Sequence, residues 1–222
     1  MKKYLILVMM IFSLLLVGCN KKFGLEFKKE YESLNGEVSK SGKEHRKVNI
    51  SEDNPYEKVT PSEIVKKIEN KETFYVYFGD KLCPWCRSVI EKSIEVAKDN
   101  KVKKIYYVPI WNDEGEEILR DKYEFVDGEV KKTIDGASEY KKLLEYFDNL
   151  LSEYNIKDAE GNNVSTGEKR IYAPNFIYIE EGVAKKITTG TSDKQTNSRE
   201  ELTKEILADE EKLFNDFFKK SK

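Results

Sequence analysis

Two thiols sit three positions apart, in Cys83-Pro84-Trp85-Cys86. At that spacing a disulfide can close across the first turn of a helix, and either thiol can attack a sulfur when deprotonated. Three chemistries fit the pattern: a redox pair, half of a metal site, or a short covalent staple. A staple is the weakest of these, because so short a loop constrains the unfolded chain little. Structural zinc needs four ligands, commonly Cys and His. The chain has three cysteines and one histidine, His45, set among Lys43, Glu44, Arg46 and Lys47 and read as a solvated linker residue. No metal is expected, and the redox pair is the best reading.

The surrounding elements place the pair at a helix start. Phe74-Tyr75-Val76-Tyr77-Phe78 reads as a central strand, apolar on both faces. Gly79 to Leu82 is a turn. Pro84 suits the first helical positions, where it costs no hydrogen bond. Val89, Ile90, Ile94 and Ala97 give the helix an apolar side, and Lys103 to Ile110 returns as another strand. Strand, helix, strand in this order implies a parallel pair. Before it, Thr60-Pro61-Ser62-Glu63 reads as a capping box opening a helix. At a helix N-terminus Cys83 would meet free N–H groups that favour its thiolate. Trp85 would present apolar area beside that sulfur.

Downstream, Ile118 to Phe125 and Ser138 to Tyr154 read as helices, so residues 112–167 are expected to form a helical insertion. Arg170 to Glu180 reads as a strand with Pro174 near its start. Glu181-Gly182 then turns the chain into a partner strand, Val183 to Ile187. Ser198 is the expected cap of a closing helix through Phe218. Trp111 and Asn112, after a strand end, are candidates to line the site.

At the N-terminus, Lys2 and Lys3 precede an apolar run from Tyr4 to Val17, ending in Leu16-Val17-Gly18-Cys19. This resembles a bacterial lipoprotein signal. The resemblance implies cleavage of residues 1–18 and lipid on Cys19, leaving Cys83 and Cys86 as the remaining thiols. The run is short for a membrane span. Losing the two lysines takes the formal charge from −2 to −4. With basic and acidic residues interleaved, no nucleic-acid partner is expected. Residues 19–47, rich in Lys, Glu, Ser and Gly, read as a flexible tether reaching about 30 Å. Its Lys21 and Lys22 are expected to meet anionic headgroups of the bilayer.

Together these features resemble the thioredoxin-like superfamily over residues 48–218, with 219–222 a basic tail. The carriers are the aromatic strand before Cys83-Pro-Trp-Cys86, the helix after it, Ala173-Pro174 ahead of a β-hairpin, and the closing helix. The lipoprotein signal and insertion are similar to membrane-anchored thiol–disulfide oxidoreductases of Gram-positive bacteria, and more loosely to bacteriocin-transport accessory proteins. The resemblance implies an α/β thioredoxin-like fold. A central mixed sheet would be flanked by helices, with the insertion between a βαβ half and a ββα half. It implies a cis Pro174 facing the cysteines, Ala173 backbone groups that pair with substrate, Cys83 as attacking and Cys86 as resolving thiol, and no cofactor beyond their disulfide. It implies extracytoplasmic polypeptide thiols or disulfides as substrates, a membrane or soluble redox partner, and a lipid-anchored place on the outer face of the cytoplasmic membrane. The chain departs from thioredoxin itself at Tyr77, where a buried acid is usual, at Ala173, often Thr, and at Pro84-Trp85, where Gly-Pro is usual. A non-catalytic binding or accessory module on the same fold is the competing expectation. Direction of electron flow is left open.

Overall fold

The computed structural model describes residues 23–219. The expected signal segment, Cys19, Lys21, Lys22 and residues 220–222 lie outside them. Among the described residues, five helices and a five-stranded mixed sheet make an α/β fold. Residues 23–32 are helical (α1). There follow β1 (Tyr56–Lys58), α2 (Pro61–Glu69), β2 (Phe74–Gly79), α3 (Pro84–Asp99) and β3 (Ile105–Pro109). The middle of the chain holds β4 (Lys122–Val126), β5 (Glu129–Ile134), α4 (Tyr140–Phe147), β6 (Glu153–Lys157) and β7 (Asn163–Lys169). It closes with β8 (Asn175–Glu180), β9 (Val183–Thr188) and α5 (Lys204–Phe218).

The sheet order is β1-β3-β2-β8-β9, with β1 and β2 parallel to β3 and the β2–β8 and β8–β9 pairs antiparallel. β2 lies at the centre and buries both faces, as its unbroken apolar run requires. Phe74, Val76 and Phe78 join Ile64, Ile68, Leu143 and Phe147 from α2 and α4. Tyr77 joins Phe27 and Tyr31 of α1, Val89 and Ile90 of α3, and Phe214 of α5 on the other face. The Thr60 capping box forms, with Thr60 Oγ1 accepting from the Glu63 N–H and Glu63 Oε2 from the Thr60 N–H.

Five expectations are corrected. Within 23–47, expected as a flexible tether, α1 packs on the sheet and His45 is buried, while residues 35–44 are largely exposed. Phe23, Phe27 and Tyr31 recur every four residues, so one turn-by-turn stripe of α1 faces the sheet among many charges. Phe27 stacks on Tyr56 at 4.4 Å, and Tyr31 is fully buried. His45, expected in solvent, is buried too.

The insertion is also not helical as a whole. It carries one helix, α4, and two hairpins, β4–β5 and β6–β7. Residues Lys122–Val126 enter a strand because Asp127-Gly128 takes positive φ (54° and 84°), the backbone of a tight hairpin. Leu151 is buried just beyond α4, so it extended the apolar stripe without extending the helix.

The expected strand from Arg170 begins only at Asn175, after Pro174, whose missing N–H cannot enter a ladder. Finally α5 is capped by Thr203 and not Ser198, because residues 197–200 close a turn of their own with Glu200 Oε1 accepting from the Asn197 N–H. The Glu181-Gly182 hairpin forms as the sequence suggests, both residues at positive φ.

Arg87 welds the N-terminal segment to α3. Its side chain is fully buried and donates to Tyr31 O at 2.7 Å, Lys81 O at 3.3 Å, Arg46 O at 2.8 Å and Asn35 Oδ1 at 2.9 Å. Arg87→Met would strand these oxygens in the interior. It should cost about 3 kcal/mol or more in urea unfolding and speed amide exchange in residues 23–47. An unchanged unfolding midpoint would show that the segment is held by other contacts.

Candidate active site

Cys83 is the N-cap of α3, with extended backbone (φ −75°, ψ 117°), and Pro84 fills the first helical turn. The loop before it is drawn tight by Asp80. That carboxylate, 2 % exposed, accepts from the Leu82 N–H at 2.9 Å and the Trp111 N–H at 3.1 Å, while Asp80 O accepts from the Cys83 N–H at 3.2 Å. Burial pushes the Asp80 carboxyl up to about 6. Asp80 therefore ties the end of β2 to the segment after β3, and both to the cysteine.

The two thiols are free and differ in environment. Cys83 Sγ accepts from the Cys86 N–H at 3.3 Å and its thiol donates to Ala173 O at 3.5 Å. The Cys86 side chain lies against the Cys83 sulfur. Hydrogen bonding from it, and from the N–H groups of Cys86 and Trp85, holds the Cys83 thiol below its ordinary range against opposing burial. These are the free donors of a helix N-terminus. Cys86 is fully enclosed. Burial, then the neighbouring Cys83, pushes its thiol well up. The pair thus splits into a more acidic outer thiol and a less acidic inner one.

The Ala173–Pro174 peptide bond is cis and brings Ala173 O to Cys83. Asn175 keeps this approach in place, its Oδ1 accepting from the Tyr172 N–H at 2.7 Å. Pro84 and Trp85 are partly exposed beside the sulfur, Ala173 is partly buried, and Tyr172 is exposed. Cys83, Pro84, Trp85, Cys86, Ala173 and Pro174 therefore come together; Cys19 lies outside the described residues. Trp111 packs in the same region under Arg120, whose guanidinium is 5.6 Å from its ring. The Arg120 guanidinium in turn grips the Glu117 carboxylate, Nε donating to both oxygens at 3.0 Å and Nη2 to Oε2 at 2.6 Å, anchoring the insertion near the site. Asn112 instead folds back on Glu116.

Three contributors were not legible as site residues. Asp80 looked like an ordinary turn residue, although an Asp two positions before a bonded N–H is the signature of an Asx turn. Arg87 gave no signal beyond a charge next to Cys86. Tyr31 was hidden in the supposed tether. Among the described residues no group of three or more His, Cys, Asp or Glu side chains converges as a metal site would.

A stabilised thiolate with a second thiol behind it is competent for nucleophilic attack on sulfur. No protein-family model matches the chain, and no curated protein sequence matches it.

Alkylation with iodoacetamide should therefore modify Cys83 first, with a rate that rises through a pKa below that of a free thiol. Cys86 should react only on unfolding. Asp80→Asn removes a negative charge that opposes the Cys83 thiolate, so the profile should move to lower pH. Peptide mass mapping against pH checks both; equal reactivity of the two thiols would contradict the assignment.

Proposed function

We propose that the chain is a thioredoxin-like thiol–disulfide oxidoreductase that exchanges disulfides with extracytoplasmic polypeptides. The observation that carries this reading is the asymmetry of the pair, an acidified Cys83 capping α3 in front of an enclosed Cys86, beside Ala173 O. The sheet order and the cis Ala173–Pro174 bond agree with that superfamily.

The Cys83 thiolate attacks one sulfur of a substrate disulfide. That S–S bond breaks, the released substrate sulfur takes a proton, and a Cys83–substrate disulfide forms. Cys86 sulfur then attacks Cys83 Sγ, expelling the second substrate thiolate, which takes the Cys86 proton. The substrate has gained two electrons and two protons, and Cys83–Cys86 is the oxidised product. The same steps reversed oxidise a substrate dithiol. Reduction potential and partner set the direction.

Lipid on Cys19, from the signal-like sequence, would place this chemistry outside the cytoplasmic membrane. The packed α1 changes the geometry of that anchoring. Only residues 20–22 separate Cys19 from Phe23, a reach of at most about 14 Å. Phe23 lies with Asn54, Pro55, Lys103 and Lys104 at the entry to β3. The cysteines follow the exit of β2, which runs parallel to β3. An anchored Cys19 would hold one end of the sheet to the bilayer and leave Cys83 facing outward, a strand length of about 20 Å away.

Incubation of the Cys86→Ala variant with insulin should trap an adduct through Cys83, absent in the Cys83→Ser, Cys86→Ala double variant. No adduct, with partner capture in cells surviving loss of both thiols, would hand the protein to the binding-module reading instead.

A further inference from the structure

The resolving step raises a problem that the pair alone does not solve. Cys86 is fully buried and its thiol is held well above the usual range, yet it must attack as a thiolate. Some group must stabilise charge on that sulfur when it forms.

Tyr77 is placed to do so. It faces α1 and α3 from the centre of β2, its ring stacked on Phe176 at 4.5 Å and on Tyr107 at 5.6 Å. The ring tip lies over Gly79, two residues along the same strand. A Cβ on Gly79 would stand 2.1 Å from both Tyr77 Cζ and Oη. The glycine thus leaves the space through which the phenol points toward the loop and the cysteines. There Tyr77 and Cys86 share one buried cluster, the hydroxyl facing the thiol, and the hydroxyl makes a 2.8 Å hydrogen bond with the Tyr31 hydroxyl. Tyr31 is fixed from behind, since its carbonyl accepts from Arg87 Nη1. All of these side chains are fully buried.

We propose that the Tyr77 hydroxyl is a catalytic donor to the Cys86 thiolate in the resolving step, and that Tyr31 is the residue that positions and polarises it. This rests on the oxidoreductase reading. As Cys86 sulfur attacks Cys83 Sγ, the Cys86–H bond breaks, the Cys83–substrate bond breaks and the Cys83–Cys86 bond forms. The proton goes to the departing substrate sulfur. Neither phenol loses its own proton, and the chain Tyr31 O–H, Tyr77 O–H, Cys86 S⁻ carries only hydrogen bonds. Burial keeps both phenols protonated, and so able to donate, far above neutral pH. The other charged or titratable groups facing the Cys86–Tyr77–Tyr31 cluster are Cys83 and Arg87 on α3, Asp80 in the loop, Tyr56 on β1, Tyr107 on β3 and Glu30 on α1. Of these Asp80 and Glu30 work against added negative charge, so the two hydroxyls counter a repulsion built into the site.

The reaction of the reduced full chain with the small disulfide dithiobis-nitrobenzoate separates the steps. A first release reports attack by Cys83 and a second reports resolution by Cys86. Tyr77→Phe keeps the ring and its stacking. It should slow the second phase about tenfold and move its pH profile upward, leaving the first phase within about twofold. Tyr31→Phe should act in the same direction and more weakly. Unchanged second phases in both variants would overturn the proposal. If the wild-type chain shows no second phase at all, the oxidoreductase reading fails on its own. The hydroxyl's role is then read from the ultraviolet titration of the Cys86 thiolate in a Cys83→Ser background. There Tyr77→Phe should raise the titration midpoint, and an unmoved midpoint would overturn the proposal. Matching far-UV circular dichroism guards against a folding defect.

Discussion

A buried guanidinium holds the architecture around the cysteines. Arg87 is out of water and, among the described residues, forms no ion pair; a charge so placed is tolerated only when oxygen dipoles satisfy it. Its oxygens come from α1, from residues 35 and 46, and from the loop at Lys81. One side chain, immediately after Cys86, therefore joins the N-terminal segment, the loop before the cysteines and the helix that carries them. With α1 held there, Tyr31 meets Tyr77. With Lys81 O bound, the loop presents Cys83 to the first turn of α3.

The site is then a balance of opposed local fields. The neighbouring Cys86 thiol, and after it the N–H groups at the start of α3, favour charge on Cys83, whereas burial and the Asp80 carboxylate disfavour it. The favourable contributions prevail at Cys83, where the Cys86 side chain leads and the N–H groups of Cys86 and Trp85 add to it. They do not prevail one turn further in, where burial and the neighbouring Cys83 outweigh the hydrogen bonds that Tyr77 and the Asp80 backbone offer Cys86. Two chemically identical thiols thus differ in acidity across three residues. Asp80 shows how tightly structure and electrostatics are bound together. The carboxylate that ties β2 to Trp111 also raises the cost of a thiolate, so its own shift to about 6 makes the site sensitive to mild acid.

Much of this was legible where local chemistry and long-range packing agree. The run Phe74 to Phe78 could only be a strand buried on both faces, Thr60 to Glu63 could only open a helix, and Glu181-Gly182 could only turn a hairpin. Reading failed where charge density masked a period. Lys28, Lys29, Glu30 and Glu32 surround Tyr31, and the four-residue recurrence of Phe23, Phe27 and Tyr31 was lost among them. The same holds in the insertion, where Leu150 and Leu151 prolong a helical stripe past the point at which the backbone leaves α4, and where the Asp127-Gly128 turn closes a hairpin. At the candidate site, the reactive residues were visible by type and spacing. The residues that tune them were not, because Asp80, Arg87 and Tyr31 act through burial, which has no local signature.

The central claim is that Cys83 and Cys86 form one redox couple. Equilibrating the full chain in glutathione buffers of graded ratio, then quenching in acid and counting modifiable thiols by mass, tests it most directly. The account predicts a single two-electron transition in which both thiols vanish together, with a tenfold change in equilibrium constant for every ~30 mV. A pair that stays reduced across the series, or one that stops at a glutathione adduct on Cys83 without closing to Cys86, would contradict it.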